Sequence, residues 1–83
     1  MTSPRKFDGS DAGWSSLTAT EEDVAEAVSQ GLTNRQVGKR LFMSHHTVDA
    51  HLRHIYWKLG INSRTNLTRL FIERAYEDLR ITA

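Results

Sequence analysis

Between Ser44 and Gly60 the apolar residues Val48, Leu52, Ile55 and Leu59 recur at i, i+4, i+7 and i+11. That spacing makes one buried stripe along an α-helix. A helix with such a stripe must be covered by other elements. The rest of the chain offers only helices for the purpose, because no strand pattern of any length occurs. The opposite side of the same segment carries His46, Asp49, Ala50, Arg53, His54 and Trp57. Cationic or ionisable groups, one small residue, an aromatic and a lone acid form a face that burial does not explain.

Three further helices are predicted, each with a start signal. "TATE" places Thr18 as an N-cap and Glu21 as its capping-box partner, with acidic residues crowded where the helix dipole favours them. This helix runs to about Gln30, turns Val24, Ala25 and Val28 inward, and ends at Gly31. "TNRQ" repeats the device with Thr33 and Gln36, opening a helix over about 34–41 that buries Val37 and Leu41. Ser44 caps the striped helix, which stops at Gly60, and "NSR" opens a last helix over about 64–79 with Leu67, Leu70, Phe71 and Ala75 inward. The single proline, Pro4, lies ahead of all four. The expected fold is therefore all-α, a four-helix helix-turn-helix domain over residues 17–83. Residues 1–16, rich in Ser, Gly and Asp, are expected to be a flexible leader or linker. Trp14 and Phe7 are its apolar exceptions, and Trp14, closer to the first helix, is the better placed to fold back.

The net charge of +1 conceals an uneven distribution. Residues 17–32 hold Glu21, Glu22, Asp23 and Glu26 with no Lys or Arg. Residues 33–64 hold Arg35, Lys39, Arg40, Arg53, Lys58 and Arg64 against Asp49 alone. Either one side of the domain meets a polyanion, or the two segments neutralise each other across a helix pair. No apolar run approaches the roughly 20 residues needed to span a bilayer, and no signal-peptide stretch begins the sequence. The chain is read as cytoplasmic, without membrane contact. With no cysteine there is neither a disulfide nor a thiolate site. His45, His46, His51 and His54 lack zinc-finger spacing and an acidic cluster, so no metal or other cofactor is expected. No triad, glycine-rich phosphate loop or carboxylate pair points to an enzyme.

Only "FMS" separates the second and third predicted helices, which makes them a helix-turn-helix. In that arrangement the second helix, here residues 44–59, enters the DNA major groove N-terminus first. His46, Asp49, Ala50, Arg53 and His54 would then meet base edges. Arg53 suits a bidentate guanine contact, with phosphate as its competing partner. Ala50 permits close approach and contact with a thymine methyl group. Asp49 cannot favour a phosphate. It either accepts from a cytosine amino group or pairs with Arg53 four residues on. Thr33, Asn34, Arg35, Lys39, Ser44 and Thr47 are candidates for phosphate contacts. Lys58 joins them, with a salt bridge to the acidic first helix as its alternative.

These residues carry a resemblance. "LTATE" at 17–21, "GLTNRQVGKRLFMS" at 31–44, "TVDAHLRHIYWKLGI" at 47–61 and "SR" at 63–64 resemble the C-terminal DNA-binding domain of LuxR/FixJ-type (GerE-like) bacterial transcriptional regulators. The third stretch looks most like the large actinobacterial members, which carry the domain at their C-terminus. The resemblance implies a four-helix fold, a recognition helix in the third position, and dimeric binding of double-stranded DNA at two half-sites. It implies an upstream sensing part as well. It also places the dimer contact on the last helix, where Ile72, Tyr76 and Leu79 extend beyond the inner stripe; the alternative is that this end wraps the domain. Three positions depart from the family pattern. Thr20 stands where Arg is frequent, Gly38 where Ala is usual, and Asp49 where many members have Lys. Gly38 weakens a helix interior by about 0.8–1 kcal/mol unless another backbone passes close. Two rival readings are a protein-interaction module built on the same helices, with Asp49 and Trp57 as its support, and sigma-factor-like promoter recognition, against which "KLGI" argues.

Overall fold

The computed structural model describes residues 12–82, with side chains from Gly13 to Leu79. Five helices follow one another: α1 (Ala12–Ser15), α2 (Ala19–Ser29), α3 (Asn34–Leu41), α4 (His45–Leu59) and α5 (Arg64–Thr82). All the described residues are helix or short connection. No described helix is long and apolar enough to cross a membrane.

The start signals act as the sequence implies. Thr18 and Glu21 close a reciprocal capping box on α2, and Thr33 and Gln36 do the same on α3. Ser44 Oγ accepts from the Thr47 N–H at 3.1 Å, and Ser63 Oγ from the Asn66 N–H at 3.1 Å. Each such cap stabilises its helix by about 1 kcal/mol. Gly31 and Gly60 follow α2 and α4 with φ of 91° and 71°, the left-handed backbone that glycine adopts without steric cost.

The core lies where α2, α4 and α5 meet, with α3 closing one side against α4. Val24, Ala25, Ala27 and Val28 of α2 pack with Val37 of α3, Val48, Leu52 and Ile55 of α4, and Leu67 of α5. Burying a Val, Leu or Ile contributes about 1.5–3 kcal/mol each. Leu41, Leu59, Leu70 and Phe71 are packed at the margin. Ala75, expected to face inward, is exposed instead, because α5 projects past the neighbours that cover its first half.

The core also reaches back into the stretch expected to be a leader. α1 places Trp14 among the buried residues, edge-to-face with Phe71 at 5.9 Å, while Arg74 Cζ lies 5.0 Å from the indole centroid. Residues 1–11, Phe7 among them, lie outside the described residues.

The turn between α3 and α4 explains Gly38. This glycine is buried, and the Met43 N–H donates to its carbonyl oxygen at 2.9 Å. A β-carbon at this position would run into the Met43 carbonyl oxygen. The departure from alanine is thus a close backbone approach that draws the turn tight. Phe42, in the same turn, adopts the left-handed conformation (φ 59°, ψ 49°) and is 94% exposed.

Candidate nucleic-acid interface

The α3–α4 pair sets the geometry of the site. Because Val48, Leu52 and Ile55 are buried, helical periodicity turns the other side of α4 outward. His46, Ala50, Arg53 and His54 are exposed and Asp49 is half-buried. The residues expected to meet base edges therefore share one outward face. Trp57 continues the exposed surface at 67%.

Within this face Asp49 pairs with Arg53. Its Oδ2 accepts from Arg53 Nη2 at 2.5 Å and from Nε at 3.2 Å. The local ion pair that the sequence offers Asp49 is formed. The pairing uses one edge of the guanidinium and leaves the Nη1–Nη2 end of the fork, the pair of donors suited to a purine edge.

Arg35 and Lys39 are exposed on α3. With Gln36, Met43, Ser44 and His45 they line an open hollow of about 350 Å³. Ser44 and Thr47 sit at the start of α4, their hydroxyl oxygens 3.1 Å apart. The other expected phosphate contacts already have partners. Thr33 Oγ1 accepts from the Gln36 N–H at 3.2 Å, and Asn34 Oδ1 accepts from Arg64 Nη1 at 2.7 Å. Arg64 Nη2 donates to the Leu32 carbonyl oxygen at 2.6 Å, so Arg64 latches the start of α5 to the α2–α3 connection.

Lys58 is a correction. Placed among the phosphate contacts from sequence, it turns inward: its Nζ donates to Glu21 Oε1 at 2.7 Å and to the Ser16 carbonyl oxygen at 2.9 Å. The alternative of a bridge to the first acidic helix is the one realised. Glu21 is 4% exposed and has two tasks, since the same Oε1 accepts from the Thr18 N–H at 2.9 Å. Burial pushes its carboxyl pKa up. The hydrogen bonds from Lys58 and Thr18, the Lys58 charge and nearby His54 outweigh this and hold it below the ordinary 4.5.

Sequence reasoning missed the setting of His45, the latch made by Arg64 and the burial of Glu21. Glu21 was visible only as a cap, and Arg64 only within "SR". His45 is the first residue of α4 and belongs to neither of the faces read from the sequence. Its ring lies 4.2 Å from that of His46, centroid to centroid. Desolvation first, then the charges of His46 and Arg35, hold its pKa below the ordinary 6.5. Among the described residues no group of three or more His, Asp or Glu is placed to hold a metal ion.

Comparison with known proteins gives a consistent picture. The model of the bacterial regulatory proteins, luxR family, matches residues 15–71. A protein of Mycobacterium tuberculosis named as an HTH-type transcriptional regulator is 56% identical over 55 residues, 66% of this chain and 6% of that protein. The nitrate/nitrite response regulator protein NarP of Escherichia coli is 37% identical over 68 residues, covering 82% of this chain and 32% of the relative. A nitrate/nitrite response regulator homologue of Haemophilus influenzae is 41% identical over 59 residues, or 71% of this chain and 28% of the relative. The chain thus spans at most about a third of the length of these relatives. No solved structure matches it.

Proposed function

The chain belongs to the luxR family of bacterial regulatory proteins, and from this premise we propose that it regulates transcription by sequence-specific binding of double-stranded DNA, with α4 in the major groove. The observation that carries the reading is the outward face of α4. His46, Ala50, Arg53 and His54 are exposed along one side of a helix that a three-residue turn joins to α3. A groove about 12 Å wide admits such a helix with its side chains. Arg53, oriented by Asp49, offers the free end of its fork to a guanine. Arg35 and Lys39 flank the helix and suit phosphates, which position the domain without reading sequence. The role is binding, not catalysis.

Dimeric binding belongs to the same proposal. Ile72, Tyr76 and Leu79 expose 56%, 63% and 68% of their surface on the projecting part of α5. A single module touches few base pairs, and two copies joined here would read two half-sites. These residues lie beyond the matched span of 15–71, so their support is exposure. The regulatory relatives are several times longer than the matched part, which supports a sensing part elsewhere in the full-length regulator.

The test is selection of binders from a random duplex pool at moderate salt. An enriched motif, with log affinity falling at a slope of about −0.9 per phosphate neutralised, is expected. An inverted repeat in that motif would give the half-site and its spacing together. Absence of binding, or binding indifferent to salt, would overturn the reading in favour of a protein-interaction module.

A further inference from the structure

The hollow between α3 and α4 holds a group that the helix-turn-helix reading does not assign. Arg35 and Lys39 reach it from α3, and His45 reaches it from the start of α4. His46 lies against His45. Asp49, one turn further along α4, is engaged by Arg53 and so does not neutralise this cluster. The hollow therefore gathers two permanent cations and an imidazole, and none of its lining residues is acidic.

We propose that His45 is a proton-coupled phosphate ligand: with Arg35 and Lys39 it completes a site for one backbone phosphate of the bound duplex, and binding draws a proton onto its ring. The proposal rests on the DNA-binding reading and adds to it a residue and a pH dependence. In the free protein desolvation first, and then the charges of His46 and Arg35, disfavour the protonated form of the ring. A phosphodiester in the hollow reverses that balance. Its single negative charge offsets part of the repulsion from the arginine and lysine, and a protonated imidazole donates a charge-assisted hydrogen bond to its non-bridging oxygen. One proton taken up on binding makes affinity rise as pH falls. His46, which lies against His45 with its ring tilted, does not line the hollow. Because the contact is to the backbone, it operates on every duplex, whatever its sequence.

The test measures binding of a labelled random-sequence duplex by fluorescence anisotropy, at constant ionic strength, between pH 8 and pH 6. The unaltered protein is expected to tighten by about three- to tenfold over that range. His45→Gln should lose most of this gain. His51→Gln, at an imidazole that does not line the hollow, should keep it. Two-dimensional NMR of the unaltered protein provides a readout free of mutation: the His45 ring titration should move to higher pH when duplex is added. An unchanged pH response in His45→Gln, or a His45 titration unmoved by duplex, overturns the inference and leaves DNA binding intact. Failure of the unaltered protein to bind any duplex at any pH overturns the DNA-binding reading, and the inference falls with it.

Discussion

Lys58 and Arg53 stand five residues apart on α4, and each pairs with a single carboxylate. The Lys58–Glu21 pair joins two helices and is largely removed from water, with side chains 23% and 6% exposed. The Arg53–Asp49 pair spans one turn of one helix, with side chains 75% and 50% exposed. Solvent makes the difference between them. In the half-buried pair each charge is needed to compensate the other, so removing one leaves an uncompensated ion. In the exposed pair water replaces whichever partner is lost, and the contribution to stability is a few tenths of a kcal/mol. The C-terminal end of α4 therefore serves the fold, and its N-terminal two-thirds remains available to a ligand.

Substitutions at the two pairs test this contrast. Lys58→Met should have the largest effect, about 3 kcal/mol of lost stability in urea denaturation, because Glu21 stays buried without its cation. The pH dependence of that loss sharpens the test. Glu21 is held below its ordinary 4.5 in the folded state, so its contribution is present above about 4.5 and disappears as pH falls through the folded value. The gap in stability between the unaltered protein and Lys58→Met should accordingly narrow on acidification below that point. A gap constant down to pH 3 would mean that Lys58 acts through packing alone.

Arg53→Ala should leave the melting temperature nearly unchanged and erase preference among duplexes, a loss of about 1–3 kcal/mol of discrimination. Lys39→Ala should weaken all duplexes alike and reduce the salt slope by about one. Sequence preference surviving in Arg53→Ala would assign the reading of bases to another part of the face. Gly38→Ala, inside α3 where the α3–α4 turn passes close, should cost about 1–2 kcal/mol in thermal unfolding, since the collision with the Met43 carbonyl outweighs the better helix propensity of alanine. Asp49→Ala should be the mildest, about 0.3 kcal/mol in stability.

Local chemistry was legible from the chain alone. The caps at Thr18, Thr33 and Ser44 lie within four residues of the groups they satisfy, and the stripe of Val48, Leu52, Ile55 and Leu59 specifies which side of α4 turns inward. A helix of known phase also specifies its opposite face, so the set from His46 to His54 followed directly. The Asp49–Arg53 pair is another contact within one turn, and the sequence already contained it as one of two alternatives.

Partners distant in sequence were not legible in this way. Lys58 had two plausible destinations, and only the approach of α1 and α2 to the end of α4 chose Glu21 and the Ser16 carbonyl over the surface. Trp14 has no periodic neighbours to reveal its burial, which depends on Phe71 and Arg74 nearly sixty residues away. Nor did the sequence distinguish a loose α3 from a close backbone at Gly38, a choice made by the path of the turn. His45 gained its setting only when α3 brought Arg35 and Lys39 beside it. Short-range hydrogen bonds and helical phase depend on residues a few positions apart and are written in the chain. Desolvation, charge crowding and the burial of isolated residues depend on which surfaces meet, and the tertiary structure alone decides that.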